Sequence, residues 1–222
     1  MYKACIFDLD GTLTSTLDSL TLSVNKTMKA IGMPPITSEQ CRMFVGNGSK
    51  VLIEKALKAG GDLKLEKFEQ ALETYLRIFD ENCTYHVVPY SGVPEMLKKL
   101  KEDGMKLAVL SNKPDRQAVH VVSSVFGEGI FDRVQGQKDG VPRKPDPTAA
   151  LMIADSFGVS PSETLYIGDS DVDAATGKAA EMSTILVTWG FRERDILEKA
   201  GAGHIVDSAS EIVRIAEGQE ER

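Results

Sequence analysis

From residue 93 to residue 206 the chain repeats one pattern: stretches with apolar residues at helical spacing, separated by short unbroken runs rich in Val, Ile and Leu. The apolar runs cover 105–110, 164–167, 184–187 and 204–206. The helical stretches begin with Val93, Met96, Leu97 and Leu100, closed by Gly104, and continue over 114–126, 147–157 (closed by Gly158) and 171–180. Near the N-terminus Ala4-Cys5-Ile6-Phe7 adds one more apolar run. Continuous apolar strands joined by crossover helices predict an α/β protein with a doubly wound parallel sheet covered on both faces. In such a sheet ligands lie at the carboxyl ends of the strands.

Residues 15–84 break the alternation. Leu17, Leu20, Val24, Thr27, Met28 and Ile31 mark one amphipathic helix, and Thr37 with Gln40 forms a capping box for a second. Val51, Leu52, Lys55 and Ala56 mark a third, and Leu65, Phe68, Leu72, Tyr75, Leu76 and Phe79 a fourth. No strand pattern interrupts them. The expected organisation is therefore an α/β core from residues 1–14 and 85–222 with an all-helical domain, 15–84, inserted through linkers near Thr14 and 85–89. The polar end, 219–222, is expected to fray.

Composition removes several function classes. With 33 acidic against 26 basic residues the net charge is −7, so a phosphate backbone is a poor partner and nucleic acid is not expected. No apolar run reaches the roughly 18 residues of a membrane span, and no cleavable leader pattern precedes the first strand, so a cytoplasmic monomer or homodimer without membrane contact is expected. Cys5, Cys41 and Cys83 are too few and too scattered for a disulfide framework or a zinc site.

The polar groups at the strand ends are the candidates for chemistry. Asp8-Leu9-Asp10-Gly11-Thr12 follows the first run. Two close carboxylates raise each other's pKa unless a cation lies between them. Mg²⁺, which takes oxygen ligands and leaves positions for water and a substrate phosphate, resolves that conflict; Asp-Gly is also a common turn pair. The run 105–110 ends in Ser111-Asn112-Lys113, where the Ser111 hydroxyl and the Asn112 backbone N–H can donate to a phosphoryl oxygen, or both residues can cap the helix that Pro114 opens. Lys144, followed by Pro145-Asp146-Pro147, is a backbone-restrained cation of the kind phosphoryl transfer uses, or a solvated loop lysine. Gly168-Asp169-Ser170-Asp171-Val172-Asp173 places acids at a helix start, favourable for the dipole, and Asp169 beside the first strand if the two strands are neighbours. The segment lacks the glycine and glutamate positions of an EF-hand.

These four segments in this order, together with the helical insertion between the first two, resemble the haloacid dehalogenase-like hydrolase superfamily. Arg42-Met43-Phe44-Val45-Gly46-Asn47-Gly48 and Thr188-Trp189-Gly190-Phe191 are similar to its phosphoglycolate phosphatase subgroup. The resemblance implies that Asp8 is the nucleophile and Asp10 the general acid and base. It implies that Asp8, the Asp10 carbonyl and Asp169 hold Mg²⁺. Ser111, Asn112 and Lys144 would cradle the phosphoryl group, with Thr12 supporting Asp10 and Asp173 ordering Lys144 or a metal-bound water. Arg42 would face a substrate carboxylate and Asn47 the leaving group, unless they are only a helix-surface arginine and a turn residue. Two positions depart from the pattern: Ser15 stands where relatives usually carry an acid, and Glu181 where they often carry glycine, expected to concern packing only.

The expected activity is Mg²⁺-dependent hydrolysis of a small phosphate monoester, with 2-phosphoglycolate the leading substrate. A sugar-phosphate mutase, a pyrophosphatase and a nucleotide phosphatase of the same fold use the same groups and stay open. A non-catalytic phosphate-binding protein is the reading from another class, opposed by the cost of keeping so many charges together without a ligand. True dehalogenation is disfavoured by Asp10.

Overall fold

The computed structural model describes residues 2–219, so of the expected frayed end 220–222 lie outside the described residues. The chain opens with β1 (Ala4–Phe7) and the two-residue β2 (Thr14–Ser15), then runs through four helices, α1 (Leu17–Ala30), α2 (Ser38–Phe44), α3 (Gly48–Ala59) and α4 (Phe68–Asn82). After the short β3 (Val88–Pro89) strand and helix alternate: α5 (Val93–Glu102), β4 (Lys106–Pro114), α6 (Asp115–Phe126), β5 (Arg133–Gln137), α7 (Thr148–Ser156), β6 (Thr164–Gly168), α8 (Asp171–Ala179), β7 (Ser183–Val187), α9 (Arg194–Ala200), β8 (His204–Val206) and α10 (Ala209–Ala216).

Six strands form one parallel sheet in the order β5-β4-β1-β6-β7-β8. β1 pairs with β4 on one side (Ala4 with Lys106, Phe7 with Val109) and with β6 on the other (Ala4 with Thr164, Phe7 with Ile167). The chain therefore winds outward from β1 in one direction, returns, and winds outward in the other, which makes the carboxyl end of β1 the switch point where such sheets bind ligands. All four residues of β1 are fully buried. Because successive side chains point to opposite faces, Cys5 and Phe7 enter an apolar cluster with Leu97, Val121 and Ile212, while Ile6 enters a second with Ala150, Ile153 and Tyr166. Burying residues of this size stabilises by about 1.5–3 kcal/mol each.

α1–α4 bury one face apiece: Leu20, Val24 and Met28 from α1; Leu52, Ile53 and Leu57 from α3; Tyr75 and Phe79 from α4, whose rings stack at 5.2 Å. Their apolar cluster runs on into Leu9 and Leu13 at the end of β1. The capping box of α2 forms as expected, Gln40 N–H donating to the Thr37 hydroxyl at 3.1 Å and Thr37 N–H to Gln40 Oε1 at 2.8 Å. The two connections between these helices and the sheet pair as an antiparallel ribbon, Thr14 opposite Pro89 and Ser15 opposite Val88. Asp18, close to Ser15 at the departing position, lies 3.6 Å from His86. No helix among the described residues is long and apolar enough to cross a membrane.

Two expectations are corrected, and one strand that the sequence did not signal is added. β4 does not stop at residue 110 but continues through Ser111, Asn112 and Lys113 with a register shift against β5, and α6 begins at Asp115; Ser111 and Asn112 are strand residues, not helix caps. β5 carried no apolar signal, because an edge strand is paired on one side only and tolerates the polar sequence Arg-Val-Gln-Gly-Gln. Glu181 has φ +57°, so glycine there answers a backbone requirement rather than a packing one.

Candidate active site

At the end of β1 the Asp8 N–H still donates to Ile167 O (2.8 Å), after which Leu13 and Thr14 N–H both fold back onto Leu9 O (3.1 and 3.0 Å). The tight loop requires a positive φ at Gly11 (+91°) and sends Asp8 and Asp10 in different directions. Asp8 faces Lys144 Nζ at 3.0 Å; Asp10 faces Lys113 Nζ at 2.8 Å.

Lys144 is held from both ends. Its Nζ donates to Asp173 Oδ1 (2.8 Å) as well as reaching Asp8, and its side chain is 2% exposed. Its backbone is gripped by one amide: Lys144 N–H donates to Asn112 Oδ1 (3.0 Å), and Asn112 Nδ2 donates to Lys144 O (3.1 Å) and to Gly46 O (3.0 Å). Asn112 thereby spends both donors and its acceptor on three backbone atoms. Burial alone would lower the Lys144 ammonium's pKa, but the facing carboxylates of Asp173 and Asp8 outweigh it and hold the group well above the ordinary lysine value.

Asp173 is fully buried and accepts from Lys144, from Ser170 Oγ (2.6 Å), from Asp169 N–H (3.3 Å) and from the Tyr166 hydroxyl (3.5 Å). Gly168 permits this approach: a Cβ there would overlap Asp173. Asp169 is framed by Gly11 and Gly190, either of which would strike it with a Cβ, and accepts from Phe191 N–H (2.6 Å) and, at 3.4 Å, from the Thr12 hydroxyl. Thr12 thus supports Asp169 and not Asp10, a correction to the expected role. Its carbonyl accepts from Trp189 Nε1 (3.0 Å), which ties the 188–191 segment to the β1 loop.

Asp8, Asp169 and Asp173 bring carboxylate oxygens within 4.8 Å of one another. Burial pushes Asp8 up to about 7, with the charges of Asp173 and Asp10 adding to it and Lys144 opposing. Burial, then Asp173 and Asp8, raises Asp169 well above the carboxylate range. An all-oxygen set of buried acids under mutual repulsion fits a hard divalent cation, which would relieve it.

A cavity opens on these groups. Asp8, Asp10, Ser111, Lys113 and Asp169 form its floor; Leu20, Leu52, Tyr75 and Phe79 from the helical layer form its roof. Ser111 Oγ accepts Lys113 N–H (3.2 Å), which leaves its own O–H to donate. Arg42 and Asn47 are not on this cavity. They line a separate outer opening, where Arg42 pairs with Glu193 (2.8 Å) and Glu39 (3.8 Å). The structure therefore does not bring Arg42 and Asn47 into the cavity that Asp8 lines. Phe191 and Arg192 line both openings and divide them.

Sequence reasoning missed Lys113, Ser170, Tyr166 and Arg192. For Lys113 a signal existed. Once β4 is extended, Lys113 lies two residues beyond Ser111 and faces the same way.

A doubly wound sheet with buried carboxylates and a fixed lysine at its switch point is the arrangement of an α/β phosphatase. Comparison with known proteins supplies the family. The family description "Haloacid dehalogenase-like hydrolase" matches residues 5–187. The chain is similar to a phosphoglycolate phosphatase of Aquifex aeolicus (strain VF5), 33% identical over 85% of this chain and 86% of that protein. It is 31% identical to one of Pseudomonas putida, over 92% of this chain and 76% of that protein. A crystal structure of a candidate phosphoglycolate phosphatase from Lactobacillus delbrueckii subsp. bulgaricus superposes with a TM-score of 0.89 at 31% identity, covering 97% of this chain and 98% of that one. The chain belongs to the haloacid dehalogenase-like hydrolase family.

Proposed function

We propose that this phosphatase hydrolyses a small carboxylated phosphate monoester, 2-phosphoglycolate first among them, through a phosphoryl group carried on Asp8. The observation that carries the reading is the pairing of the two aspartates with two different buried lysines, Asp8 with Lys144 and Asp10 with Lys113, on the floor of one roofed cavity.

In this reading Asp8 attacks phosphorus and the P–O bond to the alcohol breaks, the leaving oxygen taking a proton from Asp10. Water then attacks the aspartyl-phosphate and gives its proton to Asp10, which releases inorganic phosphate and restores Asp8. Lys144, fixed by Asp173 and Asn112, neutralises charge at the nucleophile and the transferring group without having to reorganise. The Ser111 hydroxyl and the Asn112 N–H donate to phosphoryl oxygens. Asp8, Asp169 and the Asp10 carbonyl would hold Mg²⁺, which supplies further charge neutralisation when bound. The helices of 15–84 act as a cap domain on a core of 1–14 and 85–222, and their apolar residues over the cavity exclude water.

Phosphate release from 2-phosphoglycolate is expected to need added Mg²⁺, to stop with excess EDTA, and to fall at least about 10³-fold in Asp8→Asn, the order of loss when a covalent nucleophile is removed. An Asp8→Asn protein with wild-type turnover overturns the nucleophile assignment.

A further inference from the structure

Among the cations of the site and its outer opening, Lys144, Arg192 and Arg42 each hold two or more partners. Lys144 serves Asp8 and Asp173. Arg192 spends Nε on Asp171 (3.4 Å), Nη1 on Arg42 O (3.2 Å) and Nη2 on Val45 O (2.7 Å). Arg42 is paired with Glu193 and Glu39 on the outer opening. Lys113 is different: its side chain is 2% exposed, it lines the inner cavity, and its one carboxylate partner is Asp10. An ammonium has three N–H donors. The face of Phe79, 4.9 Å from Nζ, stabilises the charge without using a lone pair, and the nearby Tyr75, Leu20 and Leu52 keep the surroundings apolar, where an ion pair counts for more than in water.

We propose that Lys113 selects the leaving group: it keeps its bond to Asp10 and donates a second one to a carboxylate carried close to the bridging oxygen of the ester. This rests on the proposed phosphatase reading, in which Asp10 meets that oxygen. In 2-phosphoglycolate the carboxyl carbon is two bonds from the bridging oxygen, so a substrate whose leaving oxygen touches Asp10 brings its carboxylate to the group that Asp10 already touches. An ester with a neutral leaving group offers Lys113 nothing. The specificity that the sequence assigns to Arg42 therefore falls on a strand residue of the core.

The test compares kcat and KM for 2-phosphoglycolate and for ethyl phosphate, with Mg²⁺ present, in wild type, Lys113→Met and Lys113→Gln. Wild type is expected to prefer 2-phosphoglycolate, and the ratio of the two kcat/KM values to collapse roughly 30-fold in both variants, chiefly through KM for 2-phosphoglycolate, as fits the loss of one charge-assisted bond. Should neither variant fold, Lys113→Arg keeps the charge but moves the donors, and the ratio is still expected to drop. An unchanged ratio in a folded variant, with both esters slowed alike, overturns the proposal and leaves Lys113 as a positioning residue for Asp10. A wild-type enzyme that hydrolyses ethyl phosphate as well as 2-phosphoglycolate overturns the substrate reading, and the role of Lys113 falls with it.

Discussion

Glu181 shows how a single residue can work against its own backbone. Its side chain is exposed, and its φ of +57° lies in the left-handed region that a side chain bearing a Cβ enters at a cost. Glu181→Gly removes that strain while adding disorder to the unfolded chain, and the net is expected to be a gain of up to about 1 kcal/mol, a rise in Tm of roughly 2–4 °C. Thermal unfolding followed by circular dichroism checks it; a lower Tm would mean that the Glu181 side chain contributes something its exposure hides. The same scale marks the limit of reading the site from sequence. Asp8, Asp169 and Lys144 were legible because each stands beside a glycine, a proline or a strand end that announces a loop. Lys113 was not, because its signal, a position two residues beyond Ser111 on the same strand face, appears only once β4 is known to run past residue 110. Arg42 was legible as a motif residue, but nothing in its own segment shows that it lies on the outer opening and pairs with Glu193, 151 positions later.

Among the elements, the segment that ends α2 and opens α3 is held to the core by its carbonyls. Arg192 takes Arg42 O and Val45 O, Asn112 takes Gly46 O, and Arg143 Nη1 takes Asn47 O at 3.1 Å. Because the acceptors are backbone atoms, the latch depends on the shape of the segment and not on its side chains. Arg192→Met removes two of these bonds and is expected to speed amide hydrogen exchange across residues 42–50 by about 10-fold, with KM rising several-fold and kcat little moved. Unaltered exchange would show that the segment is held by α3 packing alone. Strands β1, β4, β6, β7 and β8 and the capping box of α2 could be read from apolar continuity and from Thr37 with Gln40. The edge strand β5 and the pairing of β2 with β3 could not, because two-residue strands and polar edges take their order from partners remote in sequence.

For the whole molecule, the buried acids make stability depend on pH and on metal. Asp8 (about 7) and Asp169 have folded pKa values above the unfolded value near 4, so the folded state binds their protons more tightly. Their contribution to stability is complete below the unfolded value and is lost as pH rises through the folded one. Metal-free protein is therefore expected to have a higher Tm at pH 5 than at pH 8, and Mg²⁺ to raise Tm more at pH 8, where the carboxylates are open to it. A metal-free Tm that climbs between pH 5 and pH 8 would contradict this. The ribbon of β2 and β3 bears on a different property of the chain. Since Thr14 lies directly opposite Pro89, the helical segment leaves the sheet and returns to it at one point. Lengthening or shortening that segment changes a closed loop, whose entropy varies only with the logarithm of its length, and leaves the register of β1 against β4 where it was. The fold can accept insertions and deletions between residues 16 and 87 without moving Asp8 relative to Lys144, so the roof over the site is free to diverge while the chemistry beneath it stays fixed.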